Sequence, residues 1–154
     1  LATTPGARGL RDDAAVLEHA GKLVVTTDAI VEGVHFLADD PIETVAKKAL
    51  RVNFSDLAAK GAKPIGVVVA LMWPQTRPAS EIEAFARGLG EDLAAYNCAL
   101  LGGDTTSTPG PLAVSVTAFG EHEGSVQRYP AKSKARAKAA AGRSSRSTPE
   151  ATRA

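Results

Sequence analysis

A single cysteine, Cys98, occurs in 154 residues, which excludes an internal disulfide framework and a cysteine-rich zinc site. Aromatic residues make up only 5% of the chain, so a core has to be assembled from Val, Leu, Ile and Ala. No apolar run reaches the roughly 18–20 residues needed to cross a bilayer. The longest, Ile65 to Trp73, has the length of a strand. Leu1 to Arg11 lacks the apolar stretch of a secretory signal, and a cytoplasmic protein is the expectation. Neither G-x-x-x-x-G-K-[ST] nor a G-x-G-x-x-G after a strand is present, which removes the P-loop and Rossmann nucleotide sites. The motifs G-x-S-x-G, H-E-x-x-H and paired C-x-x-C are missing too. Any chemistry on a nucleotide therefore has to run through acidic side chains and a metal.

What is present is a core-forming half and a basic end. Hydrophobic residues account for 44% and the net charge is +1, with 18 Lys and Arg against 17 Asp and Glu. Residues 1–120 carry 10 basic and 14 acidic side chains, whereas residues 121–154 carry 8 basic and 3 acidic. After Gly124 the large apolar residues nearly cease, so 125–154 reads as a basic, low-complexity tail, disordered or non-native in origin, because it cannot bury enough surface to offset its ordering entropy. Residues 1–124 read as one domain. Tyr129 is the tail's single aromatic residue, too few to interleave with bases for stacking, so a nucleic-acid partner is not expected.

Periodicity predicts the elements of that domain. Asp13 to Leu17 and Lys22 to Ile30 read as strands, the second rich in β-branched residues. Asp40, Pro41 and Glu43 form a helix-start pattern, with Asp40 as N-cap. Ala46, Leu50, Phe54 and Leu57 then repeat on one helical face until Gly61 stops it. Ile65 to Met72 fits a strand buried on both faces. Ser80 with Glu83 predicts a second helix from Ser80 to Asn97. Cys98 to Leu101 reads as a short strand and Leu112 to Gly120 as the last one. The order β-β-α-β-α-β-β describes an α+β domain, a mixed sheet with helices packed on one face.

Asp12, Asp13, Asp28 and Asp104 fall where strands or turns should end, and Asp56 lies near a helix end. Hard carboxylate oxygens are what Mg²⁺ prefers, and Mg²⁺ bridges carboxylates to substrate phosphates. Each residue has a plainer reading beside this one. An Asp at a strand end also caps a turn, Gly102-Gly103 also fits a tight turn, and His35 also fits a solvated loop. Thr26 and Thr27 are ordinary strand formers. Tyr96 closes an apolar helical face and reads as core; Asn53 and Asp56 read as exposed.

Taken in order, DDAAVL (Asp12 to Leu17), VVTTDAIVEGVHFL (Val24 to Leu37), KALRVNFSDLAAKGAKP (Lys48 to Pro64) and LLGGDTT (Leu100 to Thr106) resemble the thiamine-monophosphate kinase family. That family belongs with aminoimidazole ribonucleotide synthetase and selenophosphate synthetase. The resemblance, confined to the family's N-terminal half, implies Asp13, Thr26, Thr27, Asp28, Asp56 and Asp104 as ligands of Mg²⁺. It implies His35 as a contact to thiamine monophosphate, and Tyr96, Gly103 and Asp104 along ATP. The implied reaction is ATP-dependent phosphorylation of thiamine monophosphate to thiamine diphosphate, by a homodimer. Arg11 stands where the family has Gly, and Gln127 to Ser133 only faintly echoes the family's R-S-G-A-K-P-G-D motif. The family's second domain has no counterpart, so impaired activity of this chain alone is the expectation. The alternatives are a related enzyme acting on another phosphorylated metabolite and a non-catalytic, dimerising remnant.

Overall fold

The computed structural model describes residues 14–122. Its elements are β1 (Lys22–Val31), α1 (Ile42–Ala59), β2 (Lys63–Pro74), α2 (Ala79–Ala95), β3 (Ala99–Thr108) and β4 (Ala113–His122). The four strands form one mixed sheet in the order β1-β4-β2-β3. β2 and β3 run parallel, with α2 as the crossover that parallel neighbours require. β4 runs antiparallel to both β1 and β2 and so fills the gap between them.

Residues paired across a ladder share a face. Ile30 lies beside Val114, Asp28 beside Val116 and Thr26 beside Ala118. On the other side of β4, Leu71, Val69 and Val67 take the same partners. Both helices cover this face: Leu50, Leu57, Val67, Val114 and Val116 are fully buried there. The opposite face carries Val25, Thr27, Ala29, Ser115, Thr117, Phe119, Val68 and Ala70, and no helix among the described residues packs on it. The two helices cross at Gly88, where an added Cβ would stand 2.4 Å from the Glu43 carbonyl oxygen.

Several sequence expectations change. Residues 14–17 form no strand, and Asp13 lies outside the described residues. Neither predicted capping box forms. The N-cap positions are Pro41 and Pro78, without side-chain cap bonds, while Asp40 Oδ2 accepts the Leu37 N–H at 2.8 Å and closes the preceding loop. Ser80 lies inside α2, whose first helical residue is Ala79. Gly61 does follow α1 with φ 69°, as a helix stop should. β3 is ten residues long, so Gly102-Gly103 is strand and not turn. There the β2 backbone approaches closely, and a Cβ on Gly103 would meet the Val69 carbonyl oxygen at 2.1 Å. Asn53 is fully buried, its Nδ2 donating to Ala49 O at 3.0 Å. Tyr96, read as core, is 44% exposed, its ring resting on Phe54 at 4.9 Å between centroids.

Candidate functional site

A cleft of about 610 Å³ opens between α1 and β1. Thr44, Lys47, Lys48, Arg51, Val52 and Ser55 line it from α1. Their three- and four-residue spacing puts them on one helical stripe. Asp28 contributes from β1 and Asp56 from the end of α1. The Thr26 hydroxyl donates to Asp56 Oδ2 at 3.2 Å and joins β1 to α1 across thirty residues of sequence. No Lys, Arg or His comes within ion-pair distance of Asp28 or Asp56 among the described residues. Two exposed carboxylates in one cleft offer the hard oxygen donors that a divalent cation takes.

Two of the cleft's three cations are held from behind by α2. Lys47 meets Glu91 at 2.6 Å. Arg51 grips the buried Asp92 with two bonds of 2.6 and 2.8 Å. One turn earlier, Arg87 donates to Glu43 at 3.0 Å. The hydrogen bond to Asp92 and that carboxylate's charge raise the Arg51 pKa above its ordinary value, with the Tyr96 phenol adding to it. Glu43 is held below the usual carboxylate range, first by a backbone hydrogen bond and then by Arg87. Acidic side chains of α2 thus fix the direction of basic side chains on α1.

His35 sits on the loop between β1 and α1. Its Nδ1 accepts the Val31 N–H at 3.1 Å, so a neutral ring carries its proton on Nε2. Its carbonyl oxygen accepts a hydrogen bond from the Lys48 ammonium. Arg77, largely buried, secures the same loop by pairing with Glu32 at 2.8 Å and Glu81 at 2.6 Å. In the sequence nothing but charge marks Lys48 and Arg77.

The expected metal ligands divide into two groups. Thr26, Asp28 and Asp56 come together. Thr27 and Asp104 do not join them: Thr27 pairs with Thr117 on the uncovered face, and Asp104 pairs with Ala70 on that face and on the far edge strand. A register shift between Val67 and Val68 is the cause. With regular alternation from Leu100, Asp104 would point toward the helices; the extra residue in β3 turns it outward. Three strand spacings of about 4.8 Å separate β1 from β3, roughly 14 Å. Among the described residues, no three acidic, His or Cys side chains cluster closely enough to hold a metal ion. The β3 edge from Gly102 to Thr105 borders a second cavity, about 220 Å³, beside Phe85 and Leu89 of α2.

The family model described as AIR synthase related protein, N-terminal domain, matches residues 11–122. A thiamine-monophosphate kinase of Caulobacter vibrioides is 52% identical over 118 residues, covering 75% of this chain and 34% of its own. The crystal structure of thiamine-monophosphate kinase from Stenotrophomonas maltophilia K279a superposes with a TM-score of 0.66 at 44% identity, covering 73% of this chain and 35% of that one. A structure of AaThiL complexed with AMPPCP and TMP superposes with a TM-score of 0.63 at 32% identity, covering 74% and 38%. The chain spans about a third of the length of the curated relatives it matches.

Proposed function

Since the chain belongs to the AIR synthase related family through that N-terminal domain, we propose that it forms the Mg-nucleotide-binding part of a kinase converting thiamine monophosphate to thiamine diphosphate with ATP. The relatives' names support this reading, and one observation carries it: Asp28 and Asp56 share a cleft with cations fixed from α2. Carboxylate and hydroxyl oxygens are the donor set that Mg²⁺ takes, so Asp28, Asp56 and Thr26 fit the ion. Asp13, Thr27 and Asp104 are proposed to complete the set. Bound Mg²⁺ supplies charge neutralisation on the phosphates.

The chain's own residues do the rest. Lys47 and Arg51 present cations whose directions Glu91 and Asp92 restrict. His35 offers Nε2–H as a donor toward the substrate. No general base is needed, because the attacking group is already an anionic phosphate oxygen. Tyr96, exposed at the C-terminal end of α2, is proposed to lie along the nucleotide with Gly103 and Asp104.

The separation of Asp104 from Asp28 favours a homodimer. Both Asp104 and Thr27 lie on the uncovered sheet face, so a second copy on that face could bring one copy's Asp104 to the other's β1. We propose a cytoplasmic location; no helix among the described residues is long and apolar enough to cross a membrane. Residues 1–124 are proposed as the folded domain and 125–154 as a tail outside it.

Calorimetric titration of the 154-residue chain tests the proposal. With Mg²⁺ present, saturable heat is expected with ATP and with thiamine monophosphate. Absence of heat with both at millimolar concentration would reject it.

A further inference from the structure

We infer that Lys48 is the cation that receives a phosphate group in the cleft between α1 and β1, an inference that rests on the kinase reading of that cleft. Three cations line it: Lys47, Lys48 and Arg51. Two of them already face carboxylates, Lys47 at Glu91 and Arg51 at Asp92. Lys48 instead donates to a neutral group, the carbonyl oxygen of His35. Among the described residues no carboxylate lies within ion-pair distance of it. Of the three cleft cations it is therefore the one without an ion pair among the described residues.

The bond to His35 also prepares Lys48 for the task. An ammonium has three donors. One ties the side chain to the loop, leaving two for a ligand. The tether removes part of the rotamer freedom that a lysine otherwise loses on binding. It also couples α1 to the loop carrying His35, so a phosphate held by Lys48 lies beside that loop. Asp28 and Asp56 line the same cleft, which favours a phosphate arriving with a divalent cation over a bare anion. Lysine suits phosphate as a point charge, without the bidentate geometry of arginine.

The phosphate could belong to the substrate or to the nucleotide, and paired ligands distinguish them. The 154-residue chain is titrated, at fixed Mg²⁺, with thiamine monophosphate, thiamine, ATP and adenosine. Lys48→Met should weaken at least one phosphorylated ligand about tenfold or more, with its dephosphorylated counterpart changed less than about twofold. Loss confined to thiamine monophosphate assigns the contact to the substrate; loss confined to ATP assigns it to the nucleotide. Lys48→Arg, which keeps the charge, should recover most of the binding. Lys47→Met should cost less than about threefold, because Glu91 already offsets that charge. If Lys48→Met unfolds, Lys48→Gln and Lys48→Arg carry the comparison. Wild-type binding of both phosphorylated ligands by Lys48→Met overturns the inference and leaves the kinase reading standing. So does an equal loss in Lys47→Met. Failure of the unaltered chain to bind either phosphorylated ligand overturns the reading itself, and the inference with it.

Discussion

His35 shows how much one side chain's hydrogen bonds can decide. Because Nδ1 is occupied by the Val31 N–H, Nε2 is the nitrogen left for a ligand. His35→Ala should weaken thiamine monophosphate roughly tenfold, the scale of one hydrogen bond to a charged group, and leave ATP within about twofold. Competition calorimetry reads both, and equal losses would remove His35 from the substrate site. Cys98 behaves in the opposite way. Burial pushes its thiol up to about 12, so at pH 8 only about one thiol in ten thousand is thiolate. Being raised, this pKa favours the fold below the thiol's ordinary value of 9.0, and the contribution is lost as pH climbs from there toward 12. Iodoacetamide at pH 8 should therefore label Cys98 at a rate set by unfolding, rising steeply with denaturant. Rapid labelling of the native chain would contradict the burial.

Among the elements, the contact between α1 and α2 is where small residues and ion pairs set the geometry. Gly88→Ala forces a Cβ to within 2.4 Å of the Glu43 carbonyl oxygen, a backbone atom that cannot swing aside. The helices must part, at a cost of about 1–3 kcal/mol typical of overpacking. Thermal denaturation should show the loss, and unchanged stability would mean that the helices cross elsewhere. Both helices were legible in the sequence because Ala46, Leu50, Phe54, Phe85, Leu89 and Leu93 keep helical spacing. Their starts were not. Proline at both N-cap positions leaves no side chain to cap with, and Asp40 spends its oxygen on the loop. In sequence Gly102-Gly103 suggests a turn and hence a short β3, whereas Gly103 is required by the nearness of β2. Asp28 and Asp56 were legible as acids of one cleft. The outward turn of Asp104 was not, since a one-residue bulge leaves no mark in composition or periodicity.

At the scale of the whole molecule, the described residues cover the sheet on one side. Leu23 and Val25 are 39% and 53% exposed on the other, with Phe119 and Val68 on the same face. Apolar surface of this kind is expected to be covered by a partner. Thr27 and Asp104 lie among these residues, so the same packing that hides the apolar surface could bring their oxygen donors to a second copy. If the proposed homodimer forms through this face, assembly and metal binding are one equilibrium and should fail together. Val25→Asp places a charge in the middle of the face without touching Asp28 or Asp56. Light scattering should show dimers for the unaltered chain and monomers for Val25→Asp. Calorimetry should show Mg-ATP affinity falling at least about tenfold in the monomer, because each cleft retains only part of its donor set. A monomeric Val25→Asp that binds Mg-ATP as well as the dimer would mean that Asp28, Asp56 and Thr26 suffice, and that Asp104 takes no part in holding the ion.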